Sequence, residues 1–192
     1  EYNKIKKLIE VKTGILQDKL YIEQLNEAIS LSEKTETGKY APFFSLSNIK
    51  GEKITRSSED FKKKNLLINF WASWGDSISN HQSNTELKEI YQKYKKNKHI
   101  AMLGISLDMD KQEWQDAIKR DTLNWEQVCD FGGLNSEVAK QYAIKQVPSN
   151  ILLSADGKIL AKNLKGEQLK KKIEEVVTAA EEKEKQDNKK KK

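Results

Sequence analysis

The chain has 192 residues, of which 36% are hydrophobic and 33% are charged, so it can bury one substantial core and still carry polar extensions. It contains 35 basic and 29 acidic residues, which are interspersed and leave a net charge of +6. This mixed pattern argues against a nucleic-acid-binding function. No apolar run approaches the roughly 18 residues that cross a bilayer, so no transmembrane segment is predicted.

Residues 1–37 are predicted to form an N-terminal helical segment, because apolar residues recur at near-helical spacing. Thr13 and Gly14 indicate a break between two helices. A narrow apolar stripe on a charged helix must pack against something, and we expect it to dock on the domain that follows. The alternatives are the end of a longer N-terminal domain or a dimerisation helix. The stripe consists of Ile5, Leu8, Ile9, Leu16, Leu20, Ile22, Leu25, Ala28 and Ile29.

The two ends of the sequence suggest processing and disorder. The chain begins at Glu1 with neither an initiator methionine nor the apolar region of a signal peptide. We therefore expect a mature or truncated product whose targeting segment is not present in this chain. Residues 181–192 combine six lysines with four acidic residues, and this composition predicts a disordered charged tail.

Strands and helices alternate between these ends. Residues 66–71 form a short apolar and aromatic run, which predicts a buried strand, and a helix follows at about residues 79–96. Asp156-Gly157 predicts a two-residue hairpin, and Asp110 with Glu113 resembles a helix N-cap with its capping partner. Extended runs are predicted at 41–46, 51–54, 100–107, 125–129, 150–153 and 159–162, and helices at 111–120, 136–142 and from about 166.

The most informative motif is Phe70-Trp71-Ala72-Ser73-Trp74, at the end of the predicted buried strand. It resembles the active-site segment of the TlpA/ResA-like branch of the thioredoxin superfamily, which is related to the AhpC/TSA family. The likeness extends over residues 38–180, including residues 102–108 and the run at 146–153, which in the family begins with a cis-proline. It implies an α/β thioredoxin-like fold with a central mixed β-sheet, helices on both faces, and an N-terminal helical segment in front. Strands 66–71 and 100–107 should be parallel neighbours at its centre.

The family motif continues with cysteine-glycine-proline-cysteine, whereas this chain has Gly75, Asp76, Ser77 and Ile78. In a Cys-x-x-Cys motif the helix N-terminus lowers the pKa of the first thiol from roughly 8.5 to about 7 or below, and the second thiol resolves the mixed disulfide. Glycine and isoleucine can do neither. These four positions are therefore predicted to be vestigial, and the usual site redox-inactive.

Peptide binding is the function that the resemblance leaves open. In active relatives a peptide lies between the tryptophan-cysteine turn and the cis-proline loop, which here implies a groove at Trp74, Gly75, Val147 and Pro148. Strand-like pairing there needs no thiol. The alternatives are thiol–disulfide oxidoreductase or peroxidase activity as the family implies, requiring a thiol from elsewhere, and a structural or assembly domain. Relatives of this type imply a periplasmic or cell-envelope location.

Other candidate groups favour no further chemistry. Ser77 and His81 are four residues apart, the minimum spacing for a serine activated by a histidine, but no orienting acid is evident. The two histidines, His81 and His99, lack the clustered ligands of a metal site, and no metal or cofactor is predicted. Cys129, the only cysteine, is interpreted as a small half-buried hydrophobe at a strand end. The sequence does not indicate the ligand, the partner or the oligomeric state.

Overall fold

The computed structural model describes residues 19–74 and 77–190. Seven strands form one sheet in the order β2-β1-β5-β4-β3-β6-β7. The strands are β1 Ser45–Asn48, β2 Lys53–Thr55, β3 Asn65–Trp71, β4 Ile100–Ser106, β5 Glu126–Cys129, β6 Ser149–Leu153 and β7 Ile159–Lys162. The helices are α1 Lys19–Lys34, α2 Ser77–Tyr94, α3 Lys111–Arg120, α4 Glu137–Gln141 and α5 Gly166–Lys190, with a 3₁₀ turn at Gly133–Asn135.

The strand β3 lies at the centre of this mixed sheet. It runs parallel to β4, with Asn65 opposite Ile100 and Trp71 opposite Ser106, and antiparallel to β6. All seven of its residues are buried, as expected for a strand covered on both faces. The predicted parallel pairing at the centre of the sheet is therefore confirmed.

Helices cover both faces of the sheet, as predicted, because side chains along β3 alternate between two apolar clusters. Leu67 and Trp71 pack in the cluster that includes residues of α2, α3 and α5. Leu66, Ile68 and Phe70 pack in the cluster on the other face, which includes Val138 of α4. Since β3, β4 and β5 are parallel, their carboxyl ends meet at one edge of the sheet.

The start of one helix follows directly from a local sequence signal, and the start of another differs from its prediction. The helix α3 begins after Asp110, whose Oδ1 accepts the Glu113 backbone N–H at 2.9 Å, as the cap signal predicts. The helix α2 begins at Ser77, two residues before the predicted start.

Among the helices described between residues 19 and 190, none is both long enough and apolar enough to cross a membrane.

The helix α1 is anchored to the β7 side of the domain near its C-terminal end. Ile29 is buried, and Thr35, just beyond the helix, is fully buried and accepts a hydrogen bond from Lys162 Nζ at 3.0 Å. Gly38 N–H then donates to the Ile159 carbonyl at 2.8 Å. The predicted helix break at Thr13 and Gly14 lies outside the described residues.

The structure differs from the predicted disordered tail over residues 181–192, because α5 continues to Lys190. Side chains on the first part of this segment contact the loop before β4. Asn97 Nδ2 donates to Glu181 Oε1 at 3.2 Å, and Lys98 Nζ donates to Glu184 Oε1 at 2.7 Å. His99 Nε2 lies 3.3 Å from Glu184 Oε2. These contacts lie beyond the apolar stripe of the helix, and the tail's composition does not reveal them.

Candidate functional site

The two tryptophans of the motif have different environments. Trp71, the last residue of β3, is buried in the core, and its Nε1–H donates to Gln127 Oε1 at 3.0 Å. Gln127 lies over Gly104 on the intervening strand, where a Cβ would be only 1.9 Å from Gln127 Oε1. Trp74, three residues later, is 50% exposed. Trp71 therefore supports the fold, while Trp74 is available at the surface.

A buried carboxylate, Asp108, fixes the loop that leads to Trp74. Its Oδ1 accepts the backbone N–H of Ser73 at 2.9 Å and the Ser73 hydroxyl at 2.6 Å. Its Oδ2 accepts the Ser106 hydroxyl at 2.6 Å. Asp108 is fully buried, so these hydrogen bonds are what offset the loss of water around its carboxylate. Sequence reasoning missed this residue, although its place directly after a buried parallel strand was a usable signal.

The same residue connects to the end of β5. Cys129 Sγ donates to the Asp108 carbonyl oxygen at 3.6 Å and accepts the Phe131 backbone N–H at 3.3 Å. Asp108 thus links the carboxyl ends of three neighbouring parallel strands, β3 through Ser73, β4 through Ser106 and β5 through Cys129. The hydrogen bonds of Asp108 therefore hold the loops that follow these three strands.

Three large apolar side chains, which we call the apolar rim, are exposed at this end of the sheet. They are Trp74, Met109 and Leu134, with exposed fractions of 50%, 73% and 44%. Each follows a different strand, β3, β4 or β5. Met109 lies against the 3₁₀ turn, since a Cβ on Gly133 would be 3.2 Å from Met109 Cγ. Exposed apolar side chains clustered at one end of a sheet are typical of a binding surface.

Val147 and Pro148 lie at this same end. The peptide bond between them is cis, and β6 begins at the next residue. Because Phe70 pairs with Ser149, Pro148 lies alongside the end of β3, next to Trp71. The structure therefore brings two of the predicted groove residues to the end of the strand that leads to Trp74.

The remaining predicted site residues are not tested in this way. Gly75 and Asp76 lie outside the described residues. Ser77 and Ile78 are the first two residues of α2, and His81 lies one turn further along, without described side chains. The proposed vestigial positions and the serine–histidine spacing therefore stay predictions.

Comparisons with known proteins identify the family of this chain. The sequence model of a family described as thioredoxin-like matches residues 62–159. The chain belongs to the thioredoxin-like family. It is 32% identical over 146 residues to the thiol-disulfide oxidoreductase ResA of Bacillus cereus, covering 76% of this chain and 79% of that protein. The predicted TlpA/ResA-like resemblance and the thioredoxin-like fold are confirmed.

Two solved structures extend the likeness of this thioredoxin-like chain. The C-terminal domain of a putative thiol-disulfide oxidoreductase from Bacteroides thetaiotaomicron is 78% identical, with a TM-score of 0.75 over 76% of this chain and 99% of that one. A thiol-disulfide oxidoreductase from Bacteroides fragilis is 59% identical, with a TM-score of 0.70 over 72% of this chain and 99% of that one. These relatives are named as thiol-disulfide oxidoreductases.

The single thiol of this thioredoxin-like chain is poorly suited to exchange. Cys129 is 2% exposed at the end of β5. Removal from water raises its pKa to about 11, because burial disfavours the thiolate. The thiolate is the nucleophile in disulfide exchange, so at neutral pH the group is held in its unreactive form.

Cys129 should therefore react slowly with Ellman's reagent in the folded protein. A pKa of about 11 against an ordinary value of 9.0 leaves about one-hundredth of the usual thiolate, and burial slows access further. Because a thiolate of higher pKa is also the stronger nucleophile, we expect release of the coloured thiol at neutral pH at about one-tenth of the rate of free cysteine, or less. Denaturing guanidinium chloride should restore the ordinary rate. A folded protein that reacts as fast as free cysteine would contradict this account.

The described histidine is remote from the apolar rim. His99 immediately precedes β4, at the opposite end of the sheet, where it lies beside Glu184. Within residues 19–74 and 77–190, no group of three or more histidine, cysteine, aspartate or glutamate side chains is placed to hold a metal ion.

Proposed function

We propose that this thioredoxin-like domain binds an extended peptide or protein segment and carries out no dithiol exchange at the usual position. Exchange requires an attacking and a resolving thiol. The family's two cysteine positions correspond by resemblance to Gly75 and Ile78, and Cys129 is the only cysteine of the chain. The domain would thus bind a polypeptide at the surface that its relatives use, without carrying out their dithiol–disulfide exchange.

The apolar rim is the observation that carries this proposal. Trp74 and Met109 offer an aromatic and a thioether side chain, and both types adapt to varied apolar partners. The loops that bear them are tied to Asp108, which limits the entropy lost when a partner binds. A preorganised apolar surface of this kind favours binding of a hydrophobic side chain.

The second element of the proposed site is the backbone before the cis-proline. In active relatives the residue preceding the proline pairs with the bound peptide, and Val147 occupies that position here by resemblance. Such pairing supplies affinity from main-chain hydrogen bonds, while neighbouring side chains supply preference. The partner should therefore be an extended segment with a large apolar side chain directed at Trp74. The resemblance also supports a cell-envelope location for this binding.

The first test is enzymatic. We expect no reduction of insulin disulfides, because no pair of thiols is available, and no peroxide turnover with a thiol donor, because the only thiol, Cys129, is buried and has a raised pKa. A cysteine-containing relative, assayed in parallel by turbidity, provides the positive control. Turnover well above buffer that survives Cys129→Ser would contradict redox inactivity.

The second test measures binding to a thiol-free, extended probe, fluorescein-labelled S-carboxymethylated insulin B chain, by fluorescence anisotropy. We expect saturable binding that Trp74→Ala with Met109→Ala weakens about tenfold, since central aromatic residues dominate interface energies. The matched control is Ile49→Ala, which removes an apolar side chain that is 41% exposed and not part of the rim. No saturable binding, or equal losses in both variants, would overturn the proposal.

A further inference from the structure

The inner strand β4 is only partly paired at the end of the sheet opposite the apolar rim. The strand β4 pairs with β3 along all seven of its residues, from Ile100 to Ser106. The strand β5 pairs with β4 only from Leu103 to Ser106. Within the described residues, positions 100–102 of β4 therefore have a strand neighbour on one side only.

A cavity of about 320 Å³ lies beside this unpaired stretch. Three consecutive residues of β4 line it, Ile100, Ala101 and Met102. Their side chains alternate between the two faces of the sheet, with Ile100 and Met102 in one apolar cluster and Ala101 against the other. A cavity on one face of the sheet would contact only every second residue. Because this cavity contacts all three, it lies beside the strand, along the edge that carries the backbone N–H and C=O groups. We call this cavity the edge notch.

The walls of the edge notch are aromatic on both faces of the sheet. Tyr91 and Trp125 lie on one side with ring centroids 5.7 Å apart, and Phe61 lies on the other. The Trp125 indole nitrogen is buried and has no hydrogen-bond partner among the described residues. The lining of the edge notch also includes two acidic residues, Asp60 and Glu126, and two lysines, Lys64 and Lys95.

The two negative and two positive charges that line the edge notch balance, so the notch offers no net attraction to an anion or a cation. Its distinctive feature is instead a strand edge, because the register with β3 directs the backbone groups of Ile100 and Met102 to this side, and backbone groups on a strand edge are a template for another strand. The unpaired stretch of three residues is about 10 Å long at 3.3 Å per residue. A volume near 300 Å³ is at the lower limit of small-ligand pockets, which suits the tip of an extended chain better than a large cofactor.

We propose that the edge notch binds a short, neutral, extended peptide segment, which adds a strand next to residues 100–102 of β4. The segment lies beside β4 where the chain bends at Trp125 before entering β5, and its alternate side chains contact Tyr91 and Trp125 on one face and Phe61 on the other. This mode is strand addition, with affinity from main-chain hydrogen bonds and preference from the aromatic walls. It is a second site, at the opposite end of β4 from Met109, and it does not depend on the function proposed above.

The test uses the full chain labelled with ¹⁵N and a blocked pentapeptide of alternating threonine and valine as the probe. We expect saturable shifts, in the millimolar range, of the Ile100 and Met102 amides, which the β3–β4 register directs away from β3, and of the Trp125 indole. The same peptide with proline in place of valine should bind more weakly, because proline cannot donate to a strand.

Two variants and one control separate the notch from nonspecific contact. Tyr94→Ala removes a wall side chain, and Asn124→Trp places a bulky side chain at an exposed lining position. Each should weaken binding about fivefold. Tyr40→Ala, at an exposed tyrosine that does not line the notch, should leave binding unchanged.

The proposal is overturned if the probe gives no saturable shift at millimolar concentration. It is equally overturned if the shifts cluster around Trp74 and Val147, or if Tyr94→Ala and Tyr40→Ala bind the probe alike. Shifts at the apolar rim alone would support the function proposed above while removing the notch, so the two sites are judged separately.

Discussion

Restoring cysteines at the two lost positions, with Gly75→Cys and Ile78→Cys in a Cys129→Ser background, is expected to create an internal disulfide and measurable insulin reduction. The family motif places its cysteines at these positions by resemblance. The helix α2 begins at Ser77, two residues after position 75, and the unpaired backbone N–H groups and dipole of a helix N-terminus stabilise a nearby thiolate. The first new cysteine should have a pKa below that of a free thiol.

Asp76 works against this gain, because a neighbouring carboxylate disfavours a second negative charge. Adding Asp76→Gly with Ser77→Pro, the family's residues at these two positions, should therefore raise the insulin-reduction rate further. The two variants share the same cysteines, so any difference between them reports on the intervening residues. Asp76 is thus expected to set how acidic the restored thiol becomes.

The disulfide is measured by mass spectrometry after oxidation, and reduction of insulin by turbidity. The Cys129→Ser parent, which has no thiol, is the control for both. A folded variant in which the 75–78 bridge does not form would mean that this turn departs from thioredoxin geometry. The alignment of Gly75 and Ile78 with the family's cysteines would then have to be abandoned.

The elements that sequence reasoning placed well are those whose signals are local or strongly apolar. The helix α3 was predicted at residues 111–120 and is observed at Lys111–Arg120, because Asp110 provides its own cap. The strand β3 was predicted at residues 66–71 and is observed at Asn65–Trp71, since a short apolar and aromatic run favours a strand buried on both faces. Neither result required knowledge of distant contacts.

The features that sequence reasoning missed depend on residues far apart in the chain. Ser73 and Asp108 are joined only because β3 and β4 are parallel neighbours that end at the same edge. The continuation of α5 is accompanied by contacts of Glu181 and Glu184 with the loop before β4, which the polar composition of residues 181–192 does not show. The edge notch likewise arises from the unequal lengths of β4 and β5.

Asp108 should be among the most sensitive positions for stability in this domain. Asp108→Ala removes a fully buried acceptor of the half-buried Ser73 N–H and of the Ser73 and Ser106 hydroxyl groups. Leaving such buried donors unpaired is expected to lower the free energy of unfolding by about 3 kcal/mol. For a chain of this size that corresponds to a melting temperature lower by roughly 6–12 °C.

Two matched substitutions separate the hydrogen bonds of Asp108 from general effects. Asp108→Asn keeps an acceptor for Ser73 and offers a donor to the Ser106 hydroxyl, so it should cost about 1 kcal/mol. Asp110→Ala removes the α3 cap two residues away and should also cost about 1 kcal/mol. Urea denaturation monitored by circular dichroism measures all three. If Asp108→Ala costs no more than Asp110→Ala, then Asp108 does not hold the loop before Trp74, and the rigidity assigned to the apolar rim has another source.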